Sequence, residues 1–150
     1  MFDTELTADC FETVPREAHD PSLGTLVTVG TYQYFPEESV RRGRIYLMSL
    51  DAEGKLQEKS RIDTLGILDM RWVGSRLTCA LSNGSLQSYK IEGDRLVSDG
   101  EQVEVDSSAI ALSVDVAHGH MITGLNNGRV GMIRESDSEM CVWKAHTCEV

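Results

Sequence analysis

Hydrolytic chemistry needs an activated nucleophile or water, a proton acceptor and donors for developing charge. Few residues of this chain fall in spacings that announce them. No Gly-x-Ser-x-Gly elbow occurs, because Gly74-Ser75 and Gly84-Ser85 each lack the second glycine. His118-x-His120 could bring two imidazoles near a turn, but no further ligand pair accompanies it, and histidines at strand ends fall this way by chance. Cys10, Cys79, Cys141 and Cys148 form no Cys-x-x-Cys pair. Met1 to Glu5 carries acid where an export signal would carry positive charge, so the cysteines read as reduced cytosolic thiols rather than a disulfide framework. Asp69 stands amid Ile67, Leu68 and Met70. An acid in that company needs a hydrogen bond to a loop or a functional role.

The elements that must position these residues are strands. Leu26–Val29, Arg44–Leu50, Arg76–Leu81, Leu86–Ile91, His120–Thr123 and Val130–Ile133 are β-branched or alternating runs bounded by turn residues. Asn83-Gly84 and Asn127-Gly128 each sit between two such runs, and both read as type I′ hairpin turns. They are 44 residues apart, and Gly43-Arg44 is a counterpart 41 residues before Gly84. A further strand precedes each of these points (Leu6 to Val14, Ile67 to Trp72, Ala109 to Val116), and another follows (Lys55 to Asp63, Arg95 to Val105, Glu139 to His146). Four short strands recurring at this interval predict an all-β fold, a WD-type β-propeller. The blades are expected at about 4–63, 66–105 and 109–146, with a fourth beginning at 148–150, in one partial propeller spanning 1–150. No helix of three turns is expected between residues 60 and 146.

Other function classes are disfavoured by composition. Fourteen basic against 24 acidic residues give a net charge of −10, and no basic run exceeds Arg41-Arg42, so the chain lacks the stripe that neutralises phosphates. Its longest aliphatic run, Ala109–Leu112, is far short of the ~20 residues that span a bilayer. Neither nucleic acid nor membrane is expected as a partner. The segment Phe35–Arg42 replaces a tight hairpin with a longer loop, which reads either as a binding element on a rigid scaffold or as a tolerated insertion.

Several blocks carry a resemblance. Asp3-Thr4-Glu5-Leu6-Thr7-Ala8-Asp9 is followed by Gly30-Thr31-Tyr32-Gln33, Arg42-Gly43-Arg44, Ile67-Leu68-Asp69-Met70-Arg71-Trp72 and Trp143-Lys144-Ala145-His146. In this order and spacing the chain resembles the diphthine methyl ester hydrolase family, the WD-repeat proteins of the diphthamide pathway. The N-terminal heptad and the Ile-Leu-Asp-Met block are the specific parts, since ordinary WD repeats do not share them. The resemblance implies a larger ring, seven-bladed, of which these three blades are the front portion. It implies removal of a methyl ester from methylated diphthine on translation elongation factor 2, in the cytoplasm, with no metal or organic cofactor.

On that resemblance, Asp69 and His146 are the candidates for acid/base or water-orienting roles. Asp69 belongs to a first strand, which lines a propeller's channel, and His146 to a loop at one end, where a structural cap is the competing role. The trimethylammonium group of the substrate would suit aromatic faces and carboxylates. Tyr32 and Trp72 are the candidate substrate-binding residues, with Tyr34 and Trp143 of the same type, although aromatics in blades also pack between sheets. The segment Phe2 to Leu6 is expected to close the last blade of the full ring. Alone, the 150-residue chain is expected to expose inter-blade surface, to self-associate or aggregate, and to lack esterase activity. The rival reading is a non-catalytic WD-repeat adaptor that docks proteins.

Overall fold

The computed structural model describes residues 2–147. Its elements are β1 (Ala8–Thr13), two 3-10 turns (Arg16–Ala18 and Pro21–Leu23), β2 (Thr25–Thr31), β3 (Gln33–Phe35), β4 (Val40–Leu50) and β5 (Leu56–Thr64). Then follow β6 (Ile67–Val73), β7 (Arg76–Leu81), β8 (Ser85–Glu92), β9 (Arg95–Ser98) and β10 (Val103–Glu104). The last four are β11 (Ala111–Ala117), β12 (His120–Leu125), β13 (Arg129–Arg134) and β14 (Met140–Lys144). They form three antiparallel meanders, β1-β2-β4-β5, β6-β7-β8-β9 and β11-β12-β13-β14. No α-helix occurs among the described residues. The second and third sheets begin 44 residues apart, at Ile67 and Ala111. The expected start of a fourth repeat at 148–150, with Cys148, lies outside the described residues.

The turns explain why the strands meander. Gly84 N donates to Leu81 O at 3.1 Å and Gly128 N to Leu125 O at 3.1 Å. Gly84 and Gly128 take positive φ, whereas Asn83 and Asn127 do not. These are therefore three-residue loops ending on a left-handed glycine, not the type I′ turns expected from Asn-Gly, because Ser82 and Asn126 also belong to the turn. A turn with positive φ at both central residues occurs instead at His118-Gly119 (φ 51° and 73°), between the paired residues Ala117 and His120.

Two other expectations are corrected. Gly43-Arg44 is not a turn but lies within β4, where Gly43 pairs with Thr64 and a Cβ would come within 2.3 Å of Thr31 O. The segment Phe35–Arg42 is not a plain loop. Gln33, Tyr34 and Phe35 pair with Arg42, Arg41 and Val40, so β3 and the start of β4 form a hairpin turning at residues 36–39. Arg95 to Val105 is likewise split, into β9 and β10, which both pair with β8.

Alternation along the strands sends side chains to both faces, and the sheets stack through them. Leu77, Cys79 and Leu81 join Leu26, Ile45 and Leu47 in one apolar core between the first and second sheets. Ala80, Leu86, Val114, Met121 and Ile133 form another between the second and third. Each fully buried Leu or Ile contributes about 1.5–3 kcal/mol. Trp72 Nε1 adds a bond across the first core, donating to Thr28 Oγ1 at 3.1 Å. The two sheet interfaces place β6 between β1 and β11, so the first strands of the three sheets stand side by side. This is the arrangement of neighbouring propeller blades.

The segment Phe2 to Leu6 packs on the first sheet. Phe2 meets Tyr46 edge-on at 5.5 Å, Tyr46 donates to Thr4 O at 2.7 Å, and Glu5 pairs with Arg44 at 2.7 Å.

Candidate functional site

The same irregularity interrupts all three first strands. Pairing shifts between Ala8 and Cys10 in β1, between Ile67 and Asp69 in β6, and between Ala111 and Ser113 in β11. A bulge re-aims the residue that follows it, so Cys10, Asp69 and Ser113 occupy equivalent places. Two residues on, Glu12, Arg71 and Asp115 form a second equivalent row. The rows are tied laterally. Asp69 Oδ2 accepts from Val114 N at 2.8 Å, while Arg71 reaches Glu12 at 3.3 Å on one side and Asp115 at 3.5 Å on the other. Asp69 Oδ1 accepts no hydrogen bond from the described residues.

Charge along this wall is mostly negative. Burial and the neighbouring charge of Asp69 hold the Asp9 carboxyl above the usual range. Burial, then Asp69 and Asp9, push the Cys10 thiol up to about 12. Burial raises the Cys79 thiol as well. Neither is a thiolate at neutral pH, which removes both as nucleophiles. His19 and His120 hydrogen-bond only main-chain oxygens, and none of the described histidines bonds a serine or aspartate side chain. No Ser-His-Asp relay is assembled among the described residues. No cluster of three or more His, Cys, Asp and Glu is placed to hold a metal among them either. The chemistry on offer is that of a carboxylate with one oxygen free, beside other acids.

His146 lies after β14, where its main-chain N–H and that of Ala145 donate to Gly128 O, each at 2.9 Å. Its imidazole is exposed and bonds nothing among the described residues. Val105 and Asp106 repeat this arrangement one sheet earlier, donating to Gly84 O at 3.0 and 3.1 Å. Asp106 is thus the counterpart of His146. Asp106 is also a hub that sequence reasoning missed. Oδ1 accepts from Ser108 N (3.0 Å) and Oγ (2.6 Å), and Oδ2 from Asn127 Nδ2 and Arg129 (both 2.9 Å). The Asn127 and Arg129 bonds pin the second sheet's exit to the third sheet's turn, and together, with Ser108 first among the causes, the four hold the carboxyl at about 2. The available signals were the Asp-x-Ser spacing, which favours a local side-chain turn, and the place 40 residues before His146.

Tyr32 stands between β2 and β3, with its ring against Gly66 at the entry to β6 and its hydroxyl accepting from Arg41 Nε at 3.3 Å. Trp72 is buried between the first two sheets. Tyr34 lies under the Arg41 guanidinium on the β3–β4 hairpin, and Trp143 is exposed on β14. The structure therefore brings Tyr32, the entry of β6 with Asp69, and His146 to one end of the sheets. It joins none of the three by a hydrogen bond, and it places Trp72 in the core.

No protein-family model matches the chain, and no characterised protein matches it significantly. Among the described residues no helix is long and apolar enough to cross a membrane.

Proposed function

We propose that these three sheets are blades of a WD-type propeller, seven-bladed when complete, that hydrolyses the methyl ester of methylated diphthine on elongation factor 2 in the cytoplasm. The observation that carries the reading is the carboxylate of Asp69. It follows a bulge on a channel-side strand, with Oδ2 fixed by Val114 N–H and Oδ1 free. Oδ1 takes a proton from water as the water oxygen bonds the ester carbon, and the C–O bond of the tetrahedral adduct then breaks as Asp69 returns that proton to the departing methoxide, which leaves as methanol. The carboxylates of Asp9 and Asp69, beside the row in which Arg71 pairs with Glu12 and Asp115, suit the trimethylammonium group beside that ester, and the phenol ring of Tyr32 adds an aromatic surface at the same end. The sequence blocks around Asp3–Asp9 and Ile67–Trp72 support the substrate assignment by resemblance.

A second reading, a protein-docking adaptor, is favoured by the projecting β3–β4 hairpin. There Arg41 stacks over Tyr34 at 5.0 Å and Arg42 over Phe35 at 5.2 Å. Aromatic and arginine side chains are the types enriched at protein interfaces. Incubating the protein with elongation factor 2 that carries the methyl ester separates the two. Methanol release above that of the factor alone supports the esterase. Stoichiometric binding without methanol supports the adaptor, and neither binding nor release overturns both.

A further inference from the structure

Ester hydrolysis needs a donor for the charge that develops on the carbonyl oxygen, and the Asp69 carboxylate cannot supply one. One side chain on the same wall can. Of β1, β6 and β11, the three first strands, only β6 carries a basic residue, Arg71. Asp69 and Arg71 pair with Ala80 and Thr78 in an unbroken register, so both side chains leave the same face of the strand. Two steps along a strand are about 6.6 Å, room for a water and an ester carbon between the two groups.

The guanidinium is held from both sides with one arm left open. Nη1 donates to Glu12 Oε1 at 3.3 Å and Nε lies 3.5 Å from Asp115 Oδ1, whereas Nη2 meets no acceptor among the described residues. Both contacts are longer than the about 2.7–2.9 Å of a strong charge-assisted bond. The Arg71 side chain is also 45% exposed, so these contacts orient the group while adding little stability.

We propose that Arg71 is a catalytic residue of this hydrolysis, its Nη2 holding the ester carbonyl oxygen and the oxyanion which that oxygen becomes. The inference rests on the esterase reading and fills the role Asp69 leaves open. As the water oxygen bonds the ester carbon, the carbonyl π pair moves onto the carbonyl oxygen, and it returns when the bond to methoxide breaks. Arg71 neither gives nor takes a proton, because a guanidinium stays charged, and the proton moves remain those of Asp69. Glu12 and Asp115 outweigh the one cation between them, so Arg71 does not drive off the substrate's trimethylammonium group.

Methanol release from elongation factor 2 carrying the methyl ester, followed across substrate concentration, tests this with Arg71→Met, Arg71→Lys, Arg71→Ala and Asp69→Asn beside wild type. Arg71→Met should lower kcat about 10²–10³-fold, the cost of one lost oxyanion donor, with KM and the unfolding curve little changed. Arg71→Lys should keep part of the rate through its remaining charge. Millimolar guanidinium should restore part of the rate to Arg71→Ala and none to Asp69→Asn. An undiminished kcat in Arg71→Met, a loss confined to KM, a loss matched by lower stability, or equal losses in Arg71→Lys and Arg71→Ala without rescue would each overturn the inference. With Asp69→Asn slow, those results leave the esterase reading standing, whereas a wild type that releases no methanol overturns both.

Discussion

Replacing Asp106 by alanine removes the acceptor of four hydrogen bonds, two from Ser108 in its own turn and two from Asn127 and Arg129 of the third sheet. The carboxyl is held at about 2, against its usual 3.8. Taken whole, that difference corresponds to about 2.4 kcal/mol favouring the ionised folded form. Arg129 is half-exposed, so solvent screens part of the attraction, and about 1–2 kcal/mol is the expected electrostatic share. The neutral share of the lost bonds adds about 1 kcal/mol. Urea unfolding at pH 7 should therefore show Asp106→Ala less stable by about 2–3 kcal/mol. The sign of the pH dependence follows from the lowered folded value. The carboxylate stabilises above about pH 4, and its contribution is lost as pH falls through about 2. At pH 3 the electrostatic part of the gap between wild type and variant should be about half its neutral value. Equal stabilities at pH 7, or a gap that widens on acidification, would refute this account of how the sheets are joined.

Trp72→Ala should cost about 3–5 kcal/mol in the same assay, because the indole fills the first inter-sheet core and satisfies Thr28. Gly84→Ala should lower the melting temperature by several degrees, since a Cβ would come within 1.9 Å of Asp106 O and φ there is 75°; such strain costs about 1–3 kcal/mol. Thiol labelling under native conditions should modify Cys141 quickly and Cys79 last, following their exposed and buried positions, and rapid modification of Cys79 would contradict the first core as described.

Much of the fold is legible in the residues, because sheet positions obey a period of two and glycine marks their ends. The strands around Ile67, Arg76, His120 and Val130 fall where the runs predict. Turn type was less legible. Asn-Gly reads as a two-residue turn, and only the pairing of strands reveals that Ser82 and Asn126 belong to it, whereas His118-Gly119 carries no such signature. The β3–β4 extension is hidden by Pro36 and by the mixed charges of Glu37 to Arg42. The bulges are invisible in sequence, since one extra residue in an alternating run leaves composition unchanged, yet they decide where Asp69 points. The site is the least legible part. Its residues come from strands 59 and 44 positions apart, and what unites Cys10, Asp69 and Ser113 is geometry, not spacing.

The central claim is that Asp69 does chemistry at the channel side of the sheets, and comparison of methanol release by wild type and Asp69→Asn tests it most directly. Asparagine keeps an oxygen for Val114 N–H, so unfolding curves should coincide and isolate the charge. The account predicts at least a tenfold slower release, because a general acid/base group contributes about 10²–10⁴-fold. Equal rates from equally stable proteins would make Asp69 a tether between sheets and nothing more.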